Sequence, residues 1–138
     1  MVNQAKLDQM ISNLRQYVGV LKDLARGPRQ AFVDNQDKVG NAKYHFVIAI
    51  ECCIDIANHV ISSENYRFPN DNADSFVILI ENDILASDLE DSFRAMAGFR
   101  NRLVHLYWDI DDRRVYEYLQ ESLPDLENFA QAIAQHDW

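Results

Sequence analysis

Hydrophobic residues recur at intervals of three and four along most of the chain, which is the spacing of helices with one buried face. The pattern predicts a first helix over about residues 4–25 and a second over about residues 30–63, separated by Gly27-Pro28. The second helix is apolar all round at residues 46–50, so we expect it at the centre of a bundle. These segments contain no β-type alternation, glycine-rich phosphate loop or internal repeat.

The remaining pattern predicts three further helices. A short one is expected over about residues 74–84. Ser87 and Asp88 are suited to cap the start of a fourth helix, which contains a run of charged and polar residues. A fifth is expected over about residues 113–135, and Pro124 should kink it or restart it after Ser122, because proline removes one helical hydrogen bond. The apolar phase continues past the proline, which favours a kink.

Length and composition fit one helical domain. The 138 residues are 48% hydrophobic and 25% charged, which is typical of a globular chain. We therefore expect a single all-α domain over residues 1–138, folded as an antiparallel helical bundle of four to five helices. No apolar run reaches the roughly 18 residues that span a bilayer, and the N-terminus does not resemble a signal peptide. The expected location is the cytoplasm, without membrane attachment.

The charge distribution argues against a protein that binds nucleic acid over its whole surface. The formal net charge is -9, and residues 51–93 carry one Lys or Arg against ten Asp and Glu. By contrast, residues 1–50 carry seven against four. The five basic residues of the C-terminal third all lie between Arg94 and Arg114. A compact basic site on an acidic body is compatible with cutting a local feature of RNA.

A charged residue interrupts the apolar stripe of the fourth predicted helix. Arg100 should face inward or toward an interface, where a guanidinium is costly to desolvate unless it is paired or lines a ligand cleft. Tyr107, seven residues on, is expected nearly above it. A neighbouring stripe is polar, and its Gly98, which costs about 1 kcal/mol relative to alanine, suggests close approach by another backbone or a ligand. The apolar stripe consists of Leu89, Phe93, Met96, Arg100, Leu103 and Tyr107, and the polar one of Arg94, Gly98, Asn101 and His105.

Arginine and histidine in this segment suit cleavage of RNA through attack by the neighbouring 2′-hydroxyl. A neutral imidazole at His105 can accept the hydroxyl proton, and the Arg100 guanidinium can bind the phosphate and stabilise its developing charge, without a metal. Five residues apart, the two side chains point about 140° from one another on a straight helix. Either the helix unwinds near His105, or two copies pool their residues across a two-fold axis. We favour the homodimer, because the apolar stripe offers it a surface.

The segment MAGFRNRLVHLY, residues 96–107, resembles the signature of HepT proteins. These are HEPN toxins encoded beside a minimal nucleotidyltransferase antitoxin, MntA. In that family four residues separate an Arg from a His, one residue separates this His from a Tyr, and a polar residue comes directly after the Arg. Arg100, Asn101, His105 and Tyr107 match this pattern. The likeness extends to chain length and helix order, so it covers essentially the whole protein.

The resemblance implies a homodimeric, metal-independent endoribonuclease that acts as the toxin of a type VII toxin-antitoxin system. Arg100 and His105 would be catalytic and Asn101 would support them. Tyr107 would receive AMP from the antitoxin, which uses ATP and magnesium in its own site, so the toxin itself needs no cofactor. The tyrosyl adenylate would block the cleft and compete for the guanidinium that RNA needs. Arg94 and Arg102 are candidate RNA contacts or, alternatively, solvated helix charges.

The residues also permit a second hypothesis, a non-catalytic helical dimer that binds a nucleotidyltransferase partner or a nucleotide. Outside the motif, Asp55 and His59 have helical i,i+4 spacing, but one Asp and one His are too few to hold a metal, so we expect a hydrogen-bonded pair. Cys52 and Cys53 are adjacent on an apolar helix, and we expect reduced thiols that pack in the core.

Overall fold

The protein is an all-α bundle in a computed structural model that describes all 138 residues. It is 79% helical and has no strands, which confirms the fold class expected from the pattern. Two short 3-10 turns, Ser87–Leu89 and Tyr107–Asp109, precede and follow the helix that spans Glu90–His105. The seven helices are α1 (Gln4–Leu24), α2 (Arg29–Val33), α3 (Gln36–Ser63), α4 (Asn72–Glu81), α5 (Glu90–His105), α6 (Asp112–Glu121) and α7 (Leu123–Gln135).

Helix α3 lies at the centre of the bundle, as its apolar middle predicts. It packs against each of the other six helices. Phe46 is fully buried, and its ring lies edge-on to Phe99 of α5 with a centroid distance of 5.4 Å. Burying such a side chain contributes about 1.5–3 kcal/mol, and truncating it to alanine costs about 3–5 kcal/mol once the cavity is included. This contact fixes α5 against α3.

Length and composition alone would allow α3 to cross a membrane, contrary to the expectation that no segment is long enough. Half of its most apolar window is buried inside the bundle. The core helix of a bundle meets the same criteria as a membrane span, because burial in protein and burial in lipid select the same residue types.

Polar side chains set the starts of four helices. Asn3, Asn35, Asp71 and Asp111 each accept a hydrogen bond from a backbone N–H in the first turn of α1, α3, α4 and α6 respectively. Such caps satisfy donors that the helix itself leaves free. The cap at Asn35 also divides the second predicted helix, so that a separate short α2 precedes α3. The prediction of one continuous helix over residues 30–63 was therefore wrong at this point.

The fifth predicted helix is likewise divided. Helix α6 ends at Glu121 and α7 begins at Leu123, with only Ser122 between them. Pro124 lies in the first turn of α7, where its missing N–H costs least. The expected kink is thus a restart of the helix, although Ser122 keeps a right-handed helical conformation and the apolar phase continues.

The two helices around the motif differ from expectation mainly at their ends. Helix α4 begins earlier than residue 74, because Asp71 caps it, and Asp83 in a left-handed conformation (φ 60°) follows its end. Ser87 and Asp88 belong to a 3-10 turn and make no side-chain cap to α5. The first turn of α5 contains Glu90 and Asp91, where the helix dipole favours negative charge.

Candidate functional site

The motif lies across the end of α5. The helix continues through His105 and ends at Leu106, whose dihedral angles (φ -137°, ψ 36°) leave the helical region. Tyr107 lies in the following 3-10 turn. The expectation that Tyr107 sits above Arg100 on one continuous helix was wrong, since the chain changes direction between them. The helix ends next to His105, near the point that one alternative proposed, but it stays regular from Arg100 through His105, so this end does not turn the two side chains toward each other.

Arg100 is half-buried on the face of α5 that packs toward α3. Its side chain is 21% exposed and contacts Glu51 of α3, which is 40% exposed. The Nε and Nη2 atoms both donate to Oε1 of Glu51, at 3.2 and 2.6 Å, and Nη1 donates to Oδ1 of Asn101 at 3.0 Å. The inward-facing guanidinium therefore has the counterion that its desolvation requires.

Glu51 was not identified from the sequence. A signal for it existed, because it is the one charged residue in the apolar run that extends from residue 46 to residue 54. A carboxylate in such a run is costly unless a cation or water reaches it. Which helix supplies the cation depends on the packing, and that information is absent from periodicity.

Arg100 opens onto the surface through a cavity of about 230 Å³ between α3, α5 and the start of α4. A second groove, of about 450 Å³, continues from it along α5, and Asn72 lines both. An added Cβ at Gly98 would meet no atom within 4 Å, so nothing in this chain approaches the glycine closely. The first cavity is lined by Glu51, Ile54, Asp55, Asn58, Asn72 and Arg100, and the second by Asp71, Asn72, Ala73, Arg94, Ala97, Gly98 and Asn101.

His105 is exposed in the last turn of α5. Because the helix is regular between the two residues, its side chain points about 140° away from that of Arg100. A single chain therefore does not bring these two groups together. Exposed apolar side chains surround His105 in the sequence, namely Val104, Leu106, Tyr107 and Trp108.

Tyr107 is exposed at the surface. Its side chain is 59% exposed, and the adjacent Trp108 is 70% exposed. The two rings meet edge-on at a centroid distance of 5.6 Å. The two residues form a protruding aromatic end to α5.

The two candidate basic contacts differ in their position. Both side chains are exposed. Arg94 lines the groove beside Gly98 and lies 3.7 Å from Glu90. Arg102 is outside that groove and reaches the carbonyl of Asp109 at 3.5 Å. Of the two, Arg94 is therefore the better placed to contact a ligand in the groove.

The local charge beside Arg100 is acidic. Burial raises the pKa of Asp55, Glu51 raises it further, and Arg100 and Lys6 oppose this change. Asp55 does not pair with His59, contrary to expectation, because His59 Nε2 accepts from the backbone N–H of Asn3 at 3.2 Å. No group of three or more His, Cys, Asp or Glu side chains is arranged to hold a metal ion.

The cysteines lie in the interior, as expected. Cys53 is fully buried and Cys52 is half-buried, and both are free thiols. Burial raises the pKa of Cys52 to about 11 and that of Cys53 well above its ordinary value. Neither thiol is therefore activated as a nucleophile.

Comparison with known proteins identifies the family. The family model described as Ribonuclease HepT-like matches residues 8–133, which is nearly the whole helical bundle and includes the entire motif. The chain belongs to the HepT-like family. Membership agrees with the resemblance seen at residues 96–107.

Two curated HepT proteins are similar in sequence. The mRNA nuclease HepT of Shewanella oneidensis is 36% identical over 83 residues, which cover 60% of this chain and 62% of that protein. The tRNA nuclease HepT of Aphanizomenon flos-aquae is 35% identical over 66 residues, covering 48% of this chain and 45% of that protein. The chain thus aligns with about half to three-fifths of the length of these relatives.

A solved structure extends the likeness over almost the full length. It is the tri-AMPylated Shewanella oneidensis HEPN toxin in complex with MNT antitoxin, with 25% identity and a TM-score of 0.86. The match covers 94% of this chain and 97% of that one. The helical arrangement of this HepT-like chain is therefore that of a HEPN toxin.

Proposed function

We propose that this chain is the ribonuclease toxin of a HEPN and minimal nucleotidyltransferase pair. Family membership supports this proposal, as do the nuclease names of two relatives. The observation that carries this proposal is that Arg100 keeps two free N–H donors. Three of its five N–H donors are occupied by Glu51 and Asn101, which leaves one on each terminal nitrogen. Such a pair can donate to two oxygens of one phosphate.

The proposed reaction uses the RNA's own 2′-hydroxyl as nucleophile. His105 accepts the hydroxyl proton, the O2′–P bond forms, and the P–O5′ bond breaks. The products are a 2′,3′-cyclic phosphate and a 5′-hydroxyl. The leaving O5′ takes its proton from water, and the His105 imidazolium then returns its own proton to the solvent. Arg100 stabilises the charge on the phosphate oxygens, while Asn101 holds Nη1 of Arg100. Arg94 and Arg102 are proposed RNA contacts. This chemistry requires no metal ion.

We propose that the working form is a homodimer. Because α5 stays helical through His105, the two catalytic groups of one chain point to different sides. Two α5 helices facing each other across a two-fold axis would place Arg100 of one subunit near the other subunit's imidazole. The apolar stripe that contains Arg100 does not offer the expected surface, because its Phe93, Met96 and Leu103 are buried in the core of one chain. The exposed apolar residues beside His105 provide the surface in this proposal.

Silencing by a partner nucleotidyltransferase fits the position of Tyr107. In this proposal the phenol loses its proton to solvent and its oxygen attacks the α-phosphorus of ATP, which the partner holds together with magnesium. The new O–P bond forms as the bond from the α-phosphorus to the bridging oxygen breaks, and pyrophosphate leaves. The exposed ring gives the partner access. The product adds bulk and negative charge two residues from His105, where it would exclude RNA.

The direct test is RNA cleavage by purified, unmodified protein in the presence of EDTA, with intact mass used to show that no AMP is attached. Arg100→Ala should reduce cleavage by about 10²–10³-fold, because a fixed donor to the phosphate is lost. His105→Ala should reduce it by about 10²–10⁴-fold through loss of the base. Arg26→Ala and His136→Ala serve as controls away from the motif. Retention of full activity in both motif variants would end the proposal that these residues cleave RNA. RNA that stays intact with the natural chain as well as with the variants would favour a binding module.

A mixing experiment tests the shared site. Arg100→Ala and His105→Ala subunits are inactive alone, but a dimer of one with the other contains one site with both groups intact. Unfolding and refolding the two proteins together should therefore restore cleavage. No restoration would place both groups in the same subunit.

A further inference from the structure

We propose that Glu51 is a positioning residue that orients the Arg100 guanidinium for phosphate binding. This inference rests on the proposed function, because it assigns a role within the same site. Glu51 lies on α3, outside the motif and far from it in sequence. Its contact with Arg100 is visible only in the folded chain.

The geometry of the contact fixes the plane of the guanidinium. One oxygen, Oε1 of Glu51, accepts from both Nε and Nη2 of Arg100, at 3.2 and 2.6 Å. Asn101 accepts from Nη1 at 3.0 Å. With contacts on two sides, the remaining N–H on each terminal nitrogen has a defined direction. A planar fork loses little entropy on binding when it is held in this way.

The support for Glu51 is rigid. It lies in the middle of α3, and the neighbouring Ile50 and Cys53 are buried. All six other helices pack against α3. A carboxylate on such a helix has little freedom apart from its own side-chain torsions. The orientation of Arg100 is therefore tied to the core of the bundle and not to a surface loop.

The hydrogen bonds of Glu51 orient Arg100, whereas its negative charge weakens the binding of RNA. A carboxylate 2.6 Å from the guanidinium offsets part of the attraction that Arg100 exerts on RNA. A residue retained for RNA affinity would not be acidic. Removing Glu51 should thus leave RNA binding equal or tighter while it slows the chemical step, because Arg100 becomes mobile. Loss of a purely structural contact does not produce this combination.

The experiment measures kcat and KM for one RNA oligonucleotide with the unmodified full chain and five variants. These are Glu51→Ala, Glu51→Gln, Asp55→Ala, Arg100→Ala and Glu117→Ala. Glu51→Ala should lower kcat by about 10- to 100-fold, the cost of misplacing a catalytic group, with KM unchanged or lower. Glu51→Gln keeps an oxygen that can accept from Nε and Nη2, and should recover most of the lost kcat. Glu117→Ala is the matched control, because Glu117 binds Arg114 at the same 2.6 Å and is 45% exposed. Thermal unfolding verifies that each variant is folded.

The outcomes separate this proposal from the proposed function. Full activity of Arg100→Ala would remove the catalytic role on which both depend. An inactive Arg100→Ala together with an unchanged kcat in Glu51→Ala would overturn the positioning role alone. So would an equal loss in Asp55→Ala, since Asp55 carries the same charge one turn away without a hydrogen bond to Arg100. Failure of Glu51→Gln to recover kcat would show that the charge, and not the oriented hydrogen bond, is what matters.

Discussion

Among the arginines that bind carboxylates, Arg67 and Arg100 differ in how many N–H donors they leave free. Arg67, in the segment between α3 and α4, donates four hydrogen bonds to two carboxylates, those of Asp74 and Glu81. Arg100 donates three, to one carboxylate and one amide. Arg67 is the more exposed, with 42% of its side chain accessible against 21% for Arg100.

The difference shows that exposure alone does not identify the functional arginine. An anion approaching Arg67 meets two negative charges and one spare N–H, so the cluster is saturated and serves to hold the loop against α4. An anion approaching Arg100 meets the carboxylate of Glu51, which binds the guanidinium, and that of Asp55 in the same open cavity, but each terminal nitrogen keeps a free donor. The free donors, and not the number of nearby charges, separate the structural cluster from the candidate site.

The largest expected effect comes from replacing each arginine by lysine. Lysine keeps the charge but lacks the planar fork. Arg100→Lys should lower the single-turnover rate of RNA cleavage by about 10²-fold, because bidentate phosphate contact is lost. Arg67→Lys should leave the rate nearly unchanged. If the two variants cleave RNA at equal rates, the difference in free donors between the two arginines has no effect on cleavage.

A smaller effect is expected from filling the open groove beside Arg100. Gly98→Ala should raise the free energy of unfolding by about 0.5–1 kcal/mol, since alanine is the better helix former and its Cβ would touch nothing in the chain. Cleavage should fall nevertheless, if RNA or a second subunit approaches Gly98. Urea unfolding and cleavage rates are measured on the same samples.

Gly40→Ala is the control for this substitution. Gly40 is exposed in α3, has equally open surroundings, and lines neither of the two cavities beside Arg100. It should show the gain in stability without the loss of cleavage. If Gly98→Ala also cleaves normally, the groove beside Gly98 is not occupied during the reaction.

The smallest expected effect concerns acid stability and the Arg67 cluster. Hydrogen bonds from Arg67 hold the pKa of Asp74 at about 2, below its ordinary value of 3.8, and they lower the pKa of Glu81 as well. Because the folded pKa lies below the unfolded one, this stabilisation is complete above about pH 4 and is lost as the pH falls through about 2. The urea midpoint of Asp74→Asn should therefore fall less than that of the natural chain over this range. Parallel pH dependences would show that the cluster contributes nothing measurable.

Much of the fold was predictable from the hydrophobic pattern. The first helix was placed within one residue of α1, and the central position of α3 followed from its apolar middle. The break at Asn35 was missed, and the break at Ser122 was expected to be a kink, because the apolar phase runs through both positions. A cap or a proline interrupts backbone hydrogen bonds without changing which residues are buried, and periodicity reports only burial.

The candidate site was predictable in part. The apolar stripe predicted that Arg100 faces inward and needs a partner, and Glu51 is that partner in the structure. An end of the helix near His105 was one of the two alternatives, but Tyr107 was placed on a continuous helix, and its predicted position was therefore wrong. Helical geometry also indicated that Arg100 and His105 of one chain diverge, which the regular α5 supports.

By itself, the sequence determined the helical class, the buried face of each long segment, and the motif that marks the family, since each depends on residues near one another along the chain. Tertiary structure decided which carboxylate neutralises Arg100, which donors stay free, and that a cavity opens beside them. Those features join α3 to α5 across 49 positions of sequence, and only packing determines which side chains meet at that separation.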